Sequence, residues 1–313
     1  MHRFQPSLTC LAPGVHAYIQ PDGGWCLNNA GVIAGDGATL LVDTAATQAR
    51  TEALRTAVAS VTRDPVSIVV NTHHHGDHTH GNYLFADTAR ILGHERCAPE
   101  VVKQGDLLQR LWPKVEWGDV RPVGPSEEVR GRTAIDVGGI RVLLEPVQTA
   151  HTPDDLLAFL PEHGVLFAGD LVFSGGTPFI LMGSLAGARA AVDRIRALGA
   201  QTVVAGHGPI GGAELFDVTE RYLDWLGALA VDGMRAGLTP LELAAKTDLG
   251  EFAGLLNPER LPANLHRAYA ELAAENRIPE AECDWLPTGT GVVEAGILDI
   301  IAFGDGSMPE CLA

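Results

Sequence analysis

Two hydrophobic periods divide the chain. Residues 15–19, 30–34 and 39–42 are short apolar runs separated by Gly-rich turns, and they read as successive strands. Residues 46–61 carry Ala53, Leu54, Ala57, Val58 and Val61 at helical spacing, which predicts a helix. Residues 66–70, with Pro65 in front, form a β-branched apolar run that reads as a buried strand. A second half starts near Ile135 with hairpin strands and a turn at 162–164, where His163 is a turn residue. Ser184 predicts the N-cap of a helix that ends at Gly199, and residues 201–205 a further strand.

Past residue 212 the pattern turns helical, over 213–236, 240–247 and 261–275. His266 is expected there as a helix-surface or packing residue. Residues 105–132 form the longest irregular stretch and contain Leu107, Leu108, Leu111, Trp112 and Trp117. They read either as a pocket wall or as a packed helix followed by a surface loop. Residues 284–313 are Gly-rich with alternating apolar positions, consistent with an added strand, a homodimer contact or partial disorder. One domain over 1–283 and a tail over 284–313 are therefore expected.

Composition narrows the function classes. The net charge of −17, without a Lys/Arg cluster, argues against nucleic acid, whose phosphates need a basic surface. The five cysteines, Cys10, Cys26, Cys97, Cys283 and Cys311, contain no C-x-x-C pair, so neither a disulfide framework nor a zinc ribbon is indicated. Residues 1–7 lack an apolar signal region and no run of 18 apolar residues occurs, so a cytoplasmic protein without membrane partners is expected.

The candidate chemistry sits directly after the 66–70 strand. Five of the twelve histidines lie within residues 73–80, and His73, His75, Asp77 and His78 form the pattern His-x-His-x-Asp-His. Imidazole and carboxylate are the ligands of a borderline metal such as zinc. Three further ligand types follow apolar runs: His151 after 140–147, Asp170 after 164–169 and His207 after 201–206. His74 and His80 lie outside the pattern and are expected to be dispensable for metal binding.

These residues carry a resemblance. THHHGDH at 72–78, His151, FAGD at 167–170, AGHGP at 205–209 and the leading LLVDT at 40–44 resemble the metallo-β-lactamase-fold hydrolase superfamily. The resemblance implies an α/β fold, a four-layer αββα sandwich with C-terminal helices. It implies one metal on His73, His75 and His151, a second on Asp77, His78 and His207, and a bridging carboxylate from Asp170. Two zinc ions are expected, with iron or manganese as the alternative. Asp43 is either a brace for the His loop or a simple strand-end cap. Two divalent ions about 3.5–4 Å apart lower the pKa of a shared water towards neutrality, so no Ser or Cys nucleophile is needed. Asp77 is the candidate catalytic residue, orienting that water or passing a proton to the leaving group.

Asp at 170 looks like the glyoxalase II-type branch, which cleaves thioesters, esters or lactones. Residues 20–31 bear a weaker resemblance to bacterial aromatic polyketide cyclase/thioesterases of this fold. The expected partner is a small acyl or thioester substrate, free or held on a carrier protein. Trp25, Phe173, Phe179, Ile180 and Met182 are expected to line its pocket, with no cationic cluster near them; for Trp25 the alternative is closing the sandwich edge. Rival readings are a lactonase or general esterase, an iron persulfide dioxygenase, a metal-stabilised binding protein and, least consistent with Asp170, a β-lactamase.

Overall fold

The computed structural model describes residues 5–275, 291–304 and 306–313. The start of the amino terminus, Cys283 and the expected boundary at 283/284 lie outside the described residues. Among the described residues, twelve strands form two sheets. The first joins β1 (Ser7–Ala12), β2 (Val15–Ile19), β3 (Ala30–Gly35), β4 (Ala38–Val42), β5 (Val66–Val70), β6 (Arg90–His94) and β7 (Glu127–Val129) in that order. Its pairs are antiparallel up to β4 and parallel beyond. The second runs β12 (Thr202–His207), β11 (Val165–Phe173), β10 (Leu156–Leu160), β9 (Ile140–Pro146), β8 (Thr133–Val137).

The period-2 alternation explains why the sheets stack. On β4, Leu40 and Val42 enter the core between the sheets, while Leu41 turns outward. On β5, Ile68 and Val70 point inward and Val69 outward. The inner layer meets Val142, Leu144, Leu156, Ala158 and Phe167 of the second sheet. The sheets come close where β3 passes β11: a Cβ on Gly31 would lie 2.6 Å from the Phe167 ring. The outer face of the first sheet packs on Leu54 and Val58 of α1 (Gln48–Ala59), capped by Thr47.

Short helices α2 (Gly76–Thr79), α3 (Cys97–Gln104) and α4 (Leu107–Leu111) follow β5 and β6. The outer face of the second sheet is covered by α5 (Leu185–Arg196), α6 (Glu214–Arg235), α7 (Pro240–Lys246) and α8 (Arg260–Ala274). Ser184 caps α5, its hydroxyl accepting from Gly187 N at 3.0 Å, and Thr239 and Glu242 form a capping box on α7. The layers are α, β, β, α.

The tail departs from expectation. Residues Gly291–Phe303 form a helix, α9, and not a strand. Val292, Gly296 and Ile300 are its buried positions, four apart, so the side chains that alternate in sequence follow a helical face. His266 Nε2 lies 2.8 Å from Asp299 Oδ2 and ties α8 to α9. Residues 306–313 continue across the first sheet's end, where Trp112 Nε1 donates to Pro309 O at 2.7 Å and Arg50 donates to Leu312 O. Among the described residues, no helix is long and apolar enough to cross a membrane.

Candidate metal centre

All four ligand-bearing segments converge on one end of the sandwich. β5 delivers His73 and His75, and α2 carries Asp77 and His78 one turn later. His151 lies in the loop between β9 and β10, and His207 ends β12. Asp170 differs from expectation: β11 does not stop at Gly169 but runs on to Phe173, through a register shift at Gly169 with φ of +54°. The bulge re-aims the strand and turns the Asp170 carboxylate toward the histidines. Gly206 faces it from β12, where a Cβ would lie 1.8 Å from Asp170 Oδ1, so only glycine fits there.

The ligand atoms of His73, His75, His151 and Asp170 lie within 4.8 Å of one another, and so do those of Asp77, His78 and His207. Asp170 stands between the two groups. Its Oδ2 is 3.4 Å from His151 Nε2, 3.5 Å from His207 Nε2 and 4.0 Å from His73 Nε2, while Oδ1 is 3.2 Å from His78 Nε2. Asp77 Oδ2 lies 3.3 Å from His207 Nε2. His73 Nε2, His78 Nε2 and Asp170 Oδ1 are buried and have no hydrogen-bond partner. Buried polar atoms are otherwise satisfied in folded proteins, so three orphans aimed at one point fit a pair of cations.

The opposite ring nitrogens are held from outside, which fixes each imidazole's orientation. His78 Nδ1 meets Asp43 Oδ2 at 2.8 Å, His151 Nδ1 meets Phe179 O at 2.5 Å, His73 Nδ1 meets Thr72 Oγ1 at 3.1 Å and His207 Nδ1 meets Gly24 O at 3.2 Å. Asp43 also accepts from Thr72 N and Thr72 Oγ1, both at 2.7 Å. It therefore both braces the loop and caps the strand.

Charge follows from this geometry. Burial pushes His73 and His75 well below the usual imidazole range and His151 down to about 4. Burial acts the same way on His78 and His207 and is the largest single effect, but the surrounding carboxylates together outweigh it and raise both: Asp170, Asp43 and Asp77 at His78, and Asp170 and Asp77 at His207. Burial opposes ionisation of Asp77, yet His78 and His207 hold it below the usual carboxylate range.

His74 and His80 stand outside both ligand groups, as the spacing predicts, and each has a buried partner. His74 Nδ1 lies 2.6 Å from Asp154 Oδ1, both fully buried, and His80 Nδ1 faces Ala46 O at 3.1 Å beside the Trp117 ring. Both brace the loop from beneath.

The centre opens into a small cavity. Trp25, Phe173, Phe179 and Met182 line it, with Leu107, Leu108, Leu111 and Trp112 of the irregular stretch and Ile297, Ile300 and Met308 of the tail. Met182 Sδ lies 3.3 Å from His75 Nε2, and the Phe173 ring stacks on His207 at 5.5 Å. Ile180 is a correction: it is 3% exposed and packs into the core beneath the second sheet, while the neighbouring Leu181 lines the cavity. Ile180 N donates to Asn264 Oδ1 at 2.9 Å, which orients that residue inward. Arg260, from the first turn of α8, also lines the cavity as a lone cation, a residue the sequence reading does not single out. No periodic or motif signal marks an isolated arginine about fifty residues beyond the last ligand.

Comparison with known proteins agrees with this geometry. Residues 23–207 match the metallo-beta-lactamase superfamily domain. The chain is 32% identical over 143 residues to the hydroxyacylglutathione hydrolase of Rhodospirillum rubrum, covering 45% of this chain and 48% of that protein. It is 32% identical over 140 residues to the hydroxyacylglutathione hydrolase of Saccharophagus degradans, covering 44% and 46%. The chain thus spans about half the length of the curated relatives it matches. Among solved structures, a metallo-beta-lactamase from Pontibacter korlensis superposes with a TM-score of 0.58 at 21% identity, over 70% of this chain and 99% of that one. The metallo-beta-lactamase FIM-1 from Pseudomonas aeruginosa, in its mono-zinc form, gives 0.56 at 21% identity, over 71% and 96%. The family match covers more than half of the chain and the two sheets carry the expected ligand set at one end; the protein belongs to the metallo-beta-lactamase superfamily.

Proposed function

We propose that the protein is a dinuclear metal-dependent hydrolase, with zinc as the expected metal, that cleaves an ester or thioester of an apolar acyl group. The observation that carries this reading is the Asp170 carboxylate, set between two His-rich ligand groups at the floor of an aromatic and aliphatic cavity. His73, His75 and His151 would hold one ion, Asp77, His78 and His207 the other, and Asp170 both. When bound, two such ions activate a shared water near neutral pH and polarise the acyl carbonyl.

The chain's own residues do the rest. Asp77, whose Oδ2 lies 3.3 Å from His207 Nε2, would orient the attacking water and pass its proton to the leaving group. Trp25, Phe179 and Met182 pack the acyl group and exclude bulk water. The two curated relatives named hydroxyacylglutathione hydrolase support acyl transfer to water as the reaction class.

The finer reading is an aromatic polyketide thioesterase/cyclase. Support comes from the similarity of residues 20–31 to such enzymes and from the cavity walls, where Trp25 meets Trp112 and Phe179 at ring-centroid distances of 5.5 and 5.4 Å. A flexible acyl chain folded in such a pocket would be shaped before release. Metal analysis, followed by a panel of acyl thioesters, lactones, lactoyl-glutathione and a chromogenic cephalosporin, tests both levels. Turnover led by an aromatic or long-chain thioester supports the reading. Turnover led by lactoyl-glutathione replaces it with a glyoxalase, and oxygen consumption with a persulfide in the iron-loaded protein replaces it with a dioxygenase.

A further inference from the structure

We infer that Arg260 is a specificity-determining residue: its guanidinium receives a delocalised anionic oxygen carried on the acyl group, so preferred substrates join an aromatic or apolar body to an acidic function. This rests on the proposed hydrolase reading and names its substrate class more narrowly.

Arg260 is 2% exposed, yet it lines the cavity that holds Asp77, Asp170 and His207. Its Cζ stands 4.3 Å from the Trp25 ring centroid, 4.9 Å from that of Phe173 and 5.8 Å from that of Phe179. Phe173 in turn stacks on His207, so one aromatic ring separates the guanidinium from a candidate metal ligand. Aromatic faces stabilise the cation but do not use its in-plane N–H donors. Among the described residues one hydrogen bond is formed, from Nη1 to Thr177 O at 2.9 Å, and the buried Nε has no partner. Buried donors are nearly always satisfied, so an unpartnered one in a cavity wall marks the position of a ligand acceptor.

Charge points the same way. Burial works against ionisation of Arg260, and Asp170, Glu259 and Asp77 are the carboxylates that oppose this. Glu259 already accepts from Trp25 Nε1 at 2.6 Å and from Asn257 Nδ2 at 3.0 Å. Among the described residues, Asp77 and Asp170 are the carboxylates that line the cavity, and two bound dications would take both. Of its acidic neighbours Arg260 is then left with Glu259, which is already engaged, in a pocket of net positive charge. A planar fork of donors in that setting matches a carboxylate or a conjugated oxyanion better than a neutral acyl chain. A merely structural arginine would hold Trp25 against α8 and would serve every substrate equally.

The test compares benzoyl thioesters with their ortho-, meta- and para-carboxybenzoyl counterparts on one thiol, using zinc-loaded protein. At least one carboxylated isomer should exceed benzoyl in kcat/KM by about ten- to a hundredfold, the worth of a hydrogen bond to a charged group. Arg260→Gln should bring that ratio close to one through the KM of the charged substrate. Arg260→Lys keeps the charge and loses the planar fork; it should lose most of the preference and decides the matter if Arg260→Gln does not fold. Calorimetry with the three benzenedicarboxylates against benzoate gives a readout free of turnover. If no thioester is cleaved but a dicarboxylate binds in an Arg260-dependent way, the hydrolase reading fails and Arg260 stands. Equal handling of charged and neutral acyl groups by the unmodified protein, or an equal loss on both in the variants, overturns the inference.

Discussion

Asp43 Oδ2 lies 2.8 Å from His78 Nδ1, and this one contact links the end of β4 to the ring that faces Asp170. The same carboxylate takes the backbone N–H and the hydroxyl of Thr72, so it fixes the start of the His loop and the tautomer of His78 together. Asp43→Ala should weaken metal binding at the Asp77, His78 and His207 group by about 10–100-fold, the usual effect of losing such an outer partner. Asp43→Asn, which keeps one acceptor, should fall between. Chelator competition measures both, and an unchanged affinity in Asp43→Ala would show that the contact only caps the strand.

Asp170 is the residue shared by both ligand groups. The intact protein, purified without chelator, should hold about two transition-metal ions per chain, as two-metal sites do. Asp170→Ala should lose more metal than any single histidine variant, because the bridging carboxylate offsets repulsion between two dications. A fully loaded protein with one ion per chain contradicts the dinuclear reading.

His74 supports the loop through Asp154, and its removal leaves a buried carboxylate without its partner. His74→Ala should cost about 3 kcal/mol, in the range for an orphaned buried charged group. The pH dependence has a definite sign. In the intact protein, burial resists ionisation of Asp154, but His74 holds its pKa below the usual value. That stability is present above the unfolded carboxylate range and is lost as pH falls through the lowered folded value. Without His74, burial raises the folded value instead, so the variant should gain stability on acidification relative to the parent. Melting curves of both metal-free proteins between pH 7 and about 4 check this; parallel curves would show that the pair contributes no linkage.

The cavity predicts a substrate ladder. Each methylene buried against Phe179 and Met182 contributes roughly 0.8 kcal/mol, so kcat/KM on simple acyl thioesters should rise roughly fourfold per methylene until the pocket is full. Phe179→Ala should flatten the ladder. Ile180→Ala should leave its slope intact while costing about 2–5 kcal/mol of stability, since Ile180 belongs to the core. A changed slope in Ile180→Ala alone would place that side chain in the pocket after all.

Much of the protein is legible in one dimension because its signals are local. β4 and β5 bury alternate side chains between two sheets, and that requirement writes a period of two over 39–42 and 66–70. The ligand pattern at 73–78 is readable because a tight loop and one helical turn bring residues two to five apart to a common point. The cap at Ser184 is equally local.

What only the tertiary structure decided involves contacts between segments far apart in sequence. The register shift at Gly169 places Asp170 inside β11, and the neighbouring strand needs Gly206 for it to fit. Asn264 takes the Ile180 backbone N–H and turns that side chain into the core, so an apolar residue beside the metals faces away from them. The tail's alternating pattern became helix α9 because its apolar positions also recur every four residues, and α8 and Leu181 supply the surface they cover. The spacing sets His74 outside the ligand pattern, but only the fold brings Asp154, eighty residues later, to it as a buried partner. Arg260 carries no motif; only the closing of α8 against Trp25 and Phe173 puts a guanidinium in an apolar cavity wall. Periodicity and short spacing report which face a residue occupies, whereas the partner across that face is set by chain closure over tens of residues.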